Sequence, residues 1–354
     1  MRSTLIGLAA TLVLFTSAPA REPSPPTGSV QRGQDEVINL LLSNETADDF
    51  FASGAAARDR NEIGPALVAF LTAYRMEDSR FDAPYEIARL FTARDEADLG
   101  WTWLGTAIDK GYWSEADLVR DRVLSPLRAR EGFAAQLDRV RANYKAALPT
   151  LRGRTEVRQP SGEAPVGGWP VLLCMHGYGT DHRDLVSLAE VGAARGFYAI
   201  SVCGYEPLGP GRYAWPNKGP EIYRYLDGVI QRFSDKPECN TDVVYTTGFS
   251  QGGLVATYLV ATHPERFHGA LPISPAGPLS IPKLKLGAEV RPLFVLYGTG
   301  EGPRMQSRAE KLQKDFEEIG GRVSLNTHPG GHTFPADWQA TVERGLSFVR
   351  SDDR

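Results

Sequence analysis

Apolar residues recur every three or four positions along residues 35–148. Ala66, Phe70 and Tyr74 fall at i, i+4 and i+8, with Leu67 and Leu71 beside them. Ala83, Ile87 and Leu90 repeat the spacing, as do Leu99, Trp103 and Ala107. Such stripes bury one face of each helix against a neighbour, so a small all-α domain is predicted over 35–148. Gly111, just after Ile108, predicts a helix stop. Beyond residue 170 the period changes. Short apolar runs at Val171–Met175, Tyr198–Cys203, Asp242–Thr247, Gly269–Ser274, Val290–Gly298 and Arg322–Thr327 predict strands. Between them, Leu185–Arg195, Tyr223–Phe233, Gln251–His263, Arg304–Ile319 and Trp338–Val349 predict helices. The alternation predicts an α/β domain over 170–354, its sheet mainly parallel and covered by helices on both faces. Residues 149–169 serve as the linker and first-strand region.

The first twenty residues carry a different message. Arg2, the apolar run Leu5–Phe15 and Ala18-Pro19-Ala20 form the pattern of a secretory signal peptide, the run being too short to span a bilayer. Cleavage is expected near Ala20, leaving a secreted or periplasmic protein with a Pro-containing flexible leader over 21–34. No membrane span is expected. Of 36 glycines, 27 lie beyond residue 149, and all six histidines and three cysteines lie beyond residue 173. The chemistry is therefore expected in the second domain. Net charge is −4, so there is no basic excess to neutralise a phosphate backbone, and nucleic acid is not an expected partner. Three cysteines without a CxxC pair suggest neither a disulfide framework nor structural zinc. Cys203 and Cys239 are candidates for a disulfide in an oxidising compartment.

The helical region resembles a degenerate tetratricopeptide array. Trp103-Leu104-Gly105-Thr106-Ala107-Ile108-Asp109-Lys110-Gly111 carries that resemblance, with Leu118 to Phe133 as its ending. It implies a docking surface for a protein partner.

Gly248-Phe249-Ser250-Gln251-Gly252 stands directly after a predicted strand and before a predicted helix. That context is the one a serine nucleophile requires: a sharp turn lifts Oγ above the sheet, flanking glycines avoid clashes, and the helix N-terminus favours developing negative charge. His176-Gly177-Tyr178-Gly179 follows another strand, where the Tyr178 backbone N–H pairs with that of Gln251 as a candidate oxyanion hole. His176 is expected to organise this loop. With Gly177, Tyr213 and Trp215 it makes up the candidate substrate-binding set, because aromatics and prolines concentrate between Cys203 and Cys239. A general base must come from a loop that folds back over the serine. His332, in Pro329-Gly330-Gly331-His332, meets that need better than His328, which ends a strand. Of the carboxylates between Ser250 and His332, only Glu301 follows a strong apolar strand, in Gly298-Thr299-Gly300-Glu301-Gly302.

With HGYG, GFSQGG and GGH in that order, residues 150–354 resemble the α/β-hydrolases. They are similar to the carboxylesterase/phospholipase and polyhydroxyalkanoate-depolymerase-like esterases. The resemblance implies an α/β-hydrolase fold, acyl transfer through a serine ester, hydrolysis of that ester by water, and no cofactor. It departs from the common pattern at the acid, where Asp is usual and this chain has Glu301. A peptidase or amidase would use the same Ser250–His332–Glu301 set, and a degenerate hydrolase acting as a binding protein is the alternative of a different class. No phosphate-binding loop, GxGxxG or HExxH sequence appears, and no metal is expected.

Overall fold

The computed structural model describes residues 45–283 and 289–351. The expected signal peptide, the leader and the first ten positions of the helical domain lie outside them. The chain divides into two compact units, Met1–Ala147 and Leu148–Arg354.

In the described part of the first unit, α1 (Ala47–Asp59), α2 (Ile63–Met76), α3 (Asp82–Ala93) and α4 (Ala97–Asp109) follow one another through short turns. Thr46 and Asp49 form a capping box at the start of α1, satisfying two otherwise unpaired donors. The ends of α1, α3 and α4 share one device. Asn61, Asp95 and Gly111 take left-handed conformations, and the next N–H returns to a carbonyl one turn back: Glu62 to Ala57, Glu96 to Phe91, Tyr112 to Ala107. This is the Schellman arrangement. Asn61 and Asp95 stand 34 positions apart. Phe70, Ile87 and Leu90 fill one core, while Leu104, Ile108 and Tyr112 fill another with Leu118, Leu124 and Leu127. Leu118 lies in α5 (Glu115–Arg120), Leu124 in a 3₁₀ turn (Arg122–Leu124) and Leu127 in α6 (Ser125–Arg128), before α7 (Phe133–Leu151).

The second unit is built on a seven-stranded sheet in the order β1-β3-β2-β6-β7-β8-β9. These strands are β1 (Thr155–Arg158), β2 (Trp169–Met175), β3 (Tyr198–Val202), β6 (Cys239–Phe249), β7 (Phe267–Ile273), β8 (Leu293–Gly298) and β9 (Val323–His328). Only β1 pairs antiparallel. Alternation along β2 explains the layering, since successive side chains point to opposite faces. Val171, Leu173 and Met175 face a core shared with α9 (Gly219–Gln231), α10 (Gln251–Thr262) and α11 (Pro303–Glu317). Leu172 and Cys174 face the other, with α8 (Val186–Ala194) and α12 (Trp338–Arg350).

Parallel strands deliver their C-terminal ends to one edge of the sheet. The strand order reverses between β2 and β6, and such a switch point opens a crevice at that edge. The aromatic and proline-rich segment after Cys203 forms a hairpin, β4 (Glu206–Gly209) with β5 (Arg212–Ala214), before α9 begins. Cys203 and Cys239 are free thiols, so the candidate disulfide is not formed. Cys239 is level with Trp169 at the start of β2, whereas Val202, just before Cys203, is level with Met175 at its end. Six residues of strand separate those levels, roughly 20 Å at about 3.3 Å per residue, far beyond disulfide reach.

Candidate active site

Register sets the site. Met175 pairs with Gly248 and Phe249 pairs with Ile273, so the ends of β2, β6 and β7 lie side by side. Ser250 stands between β6 and α10 at φ 55°, ψ −115°, a conformation that costs a non-glycine residue roughly 1–3 kcal/mol. The turn is held by its neighbours. Ser250 N–H donates to Ile273 O, and Ser250 O accepts from Leu254 and Ala276. A Cβ at position 252 would lie 1.9 Å from Met175 O, so only glycine permits this close packing of helix on strand.

His332 arrives on the loop after β9. Its Nε2 is 2.9 Å from Ser250 Oγ and its Nδ1 is 2.6 Å from Glu301 Oε2. A carboxylate only accepts, so Nδ1 donates to Glu301 and the neutral ring presents Nε2 as acceptor to the serine hydroxyl. The ring lies 4.9 Å from that of Phe249, which stacks on Phe334. The loop carrying it is anchored where Gly300 N–H donates to Gly330 O, and where Gly330 N–H donates to His328 Nδ1. His328 is thus a buried support for the loop. The imidazole of His332 is 41% exposed while the Glu301 side chain is 1% exposed; the carboxylate is sealed and the imidazole is open.

Glu301 ends a single 3₁₀ turn after β8. Its Oε1 accepts from Gly298 N–H at 2.8 Å and from Ser274 Oγ at 2.6 Å. Ser274 was not singled out from the sequence; its only signal there is its position directly after β7, which neighbours β6.

The structure therefore brings Ser250, His332 and Glu301 into one hydrogen-bonded chain. Gln251 opens α10, where the first N–H groups of a helix lack intrahelical acceptors, so its N–H stands beside the serine. The His176–Tyr178 loop lies on the other side. A Cβ on Gly177 would come within 3.6 Å of Ser250 Cβ, and Gly179 N–H is fixed to Tyr213 O. The Tyr178 side chain is 66% exposed.

Three of the four residues expected to bind substrate lie below the surface of the site. His176, Tyr213 and Trp215 are buried, and His176 and Trp215 are occupied in holding the loops. His176 Nδ1 contacts Gly177 O at 2.6 Å, and Nε2 accepts from Gly204 N–H at 2.7 Å. Burial holds its pKa below the usual histidine value, which keeps Nε2 free as an acceptor. Trp215 Nε1 donates to His176 O, and the Gln251 amide bonds the Trp215 backbone in both directions, at 3.0 and 2.8 Å. These residues support the site from beneath. Only Gly177 stays beside Ser250.

A mainly parallel sheet, helices on both faces and a serine elbow at the switch point make the second unit an α/β-hydrolase fold. No protein-family model matches the chain. Among curated proteins it is similar to "Putative esterase NocK" of Nocardia uniformis subsp. tsuyamanensis, 30% identical over 194 residues, 51% of this chain and 55% of that protein. It is also similar to a bifunctional acetylxylan esterase/xylanase of Neocallimastix patriciarum, 24% identical over 165 residues, 46% of this chain and 23% of that protein. The chain spans about half the length of the first relative and about a quarter of the second. Among solved structures it is similar to a propionate-bound thermophilic esterase of Thermogutta terrifontis. The TM-score is 0.47 at 15% identity, covering 56% of this chain and 89% of that one.

Proposed function

We propose that this protein is a serine hydrolase that cleaves carboxylic esters through an acyl-enzyme. The observation that carries the reading is the unbroken chain from Ser250 Oγ through both ring nitrogens of His332 to a sealed Glu301 carboxylate. A curated relative named as an esterase supports the ester as substrate.

In the first step, Ser250 Oγ bonds to the ester carbonyl carbon while its proton passes to His332 Nε2. The carbonyl π pair moves to oxygen, where the N–H groups of Tyr178 and Gln251 receive it. Glu301 stabilises the imidazolium and keeps it in the required tautomer. The carbon–alkoxy bond then breaks and His332 returns the proton to the leaving alcohol. Water repeats the sequence, losing its proton to Nε2 as it attacks, and Ser250 leaves with that proton. The reading is tested by fluorophosphonate labelling and an ester panel. Wild type labels and turns over esters, while Ser250→Ala does neither. A folded wild type that stays unlabelled, or one that cleaves peptides and no ester, rejects it.

The same reading includes export, with Met1–Ala20 as the removed segment. N-terminal sequencing of protein recovered outside the cytoplasm then begins at Arg21, and a start at Met1 rejects export by this route. The helices of the first unit are read as tetratricopeptide-length pairs, supported by the 34-position offset between Asn61 and Asp95. Inserting a second copy of residues 63–96 after Glu96 keeps the unit folded if this is right and unfolds it if the offset is accidental.

A further inference from the structure

Ser274 is a fully buried residue (0% exposed) directly after β7. Its φ is 47°, in a region that glycine adopts freely and serine does not. Its N–H donates to Leu296 O at 2.7 Å, fixing the backbone, and its hydroxyl donates to Glu301 Oε1. The other donor to that oxygen, Gly298 N–H, ends β8 and caps the short turn that carries Glu301. The terminal torsion of a glutamate side chain is broad, so the single backbone donor from the end of its own strand leaves the plane of the carboxylate loosely set. The hydroxyl, reaching over from the end of the neighbouring strand β7, supplies the second point that fixes it.

We propose that Ser274 is a positioning residue for the reaction: its hydroxyl orients the Glu301 carboxylate so that Oε2 meets His332 Nδ1. Gly at 274 would relieve the backbone and lose the hydroxyl, and Ala would lose the hydroxyl and keep the strain. This rests on the esterase reading above.

The test uses the full chain with a short p-nitrophenyl ester, in Ser274→Ala and Ser274→Gly. Both lose about tenfold in kcat with KM within about twofold, and the Gly variant is the more heat-stable of the two. In a Glu301→Ala background the Ser274→Ala change costs less than about twofold, because no carboxylate is left to orient. The downfield proton resonance of His332 Nδ1–H, present in wild type and in Ser250→Ala, shifts or disappears in both Ser274 variants. Unchanged kcat in both variants overturns the proposal, as does an equal loss in the Glu301→Ala background or an unmoved resonance. A wild type inert on esters defeats the esterase reading instead, and the resonance still decides the role of Ser274.

Discussion

Among the described residues each unit places two non-glycine residues at positive φ, and they are put to different use. In the helical unit they are Asn61 and Asp95; in the α/β unit they are Ser250 and Ser274. Asn and Asp adopt this region with little strain, and here they end helices by returning the chain for a Schellman bond. Serine has no such preference. Its two occurrences stand at the C-terminal ends of adjacent strands, and both hydroxyls hydrogen-bond the His332–Glu301 pair. A positive φ marks a connector in one unit and, on the proposed reading, a strained mount for chemistry in the other. Strain at a residue ill-suited to it persists where the surrounding contacts hold it and the side chain is needed.

The largest test of this contrast is Ser250→Gly. Glycine accepts φ 55° freely, so the fold is expected to gain about 1 kcal/mol. On the proposed reading the nucleophile is then gone, and ester turnover should fall by about 10⁴-fold or more. Chemical denaturation and an ester assay on the same sample read both quantities. A variant less stable than wild type would show that the elbow is not strained. The helical unit offers the reverse case. Leu104 is fully buried in its core, and Leu104→Ala should cost that unit about 2–5 kcal/mol through lost burial and a cavity. Its effect on kcat should be less than twofold if the chemistry belongs to the α/β unit alone. A tenfold loss would tie the helices to the site.

Acid should also separate the units. The described helical residues include no histidine, whereas in the α/β unit burial lowers the pKa of His176, His182 and His268. For these groups the unfolded state takes up the proton first as pH falls. Their stabilisation is fully present above the unfolded value of about 6.5 and is lost progressively below it. Calorimetry at pH 7.5 and 5.5 should show the α/β transition moving down in temperature by more than the helical transition, with His176→Asn shrinking the difference. Equal movement of both transitions would remove the histidines as its cause.

How much of this could be read beforehand follows from how local each signal is. The Ser250 elbow was legible because strand, glycines and helix lie within a dozen residues. His332 was legible from its loop, and Glu301 only by elimination among seven carboxylates. Ser274 was invisible, since its role depends on β7 and β8 lying side by side, and Ser274-Pro275-Ala276 carries no local mark of a positive φ. The β4–β5 hairpin was hidden by Pro207, Pro210 and two glycines, which read as loop although Pro207 pairs with Tyr213. Trp215 was misplaced for a related reason. Its aromatic neighbourhood suggested a substrate surface, but the indole is committed to His176 O and the backbone to Gln251. A buried partner of that kind is set by tertiary contact and leaves no trace in spacing.

The smallest expected effect completes the contrast between the two pairs. Asn61→Gly alters a residue whose φ of 60° already suits it, and whose N–H bond to Arg58 O survives in glycine. Glycine has slightly easier access to this conformation but adds entropy to the unfolded chain, and the two nearly cancel. The net change should lie within about 0.5 kcal/mol. Ser250→Gly, with the same backbone entropy cost, should still come out ahead, because it relieves strain that Asn61 does not carry. Equilibrium unfolding of the two variants side by side therefore compares strain directly, one connector against one mount. If Asn61→Gly stabilised as much as Ser250→Gly, glycine would simply be better at any positive φ in this chain, and the serine elbow would hold no special strain.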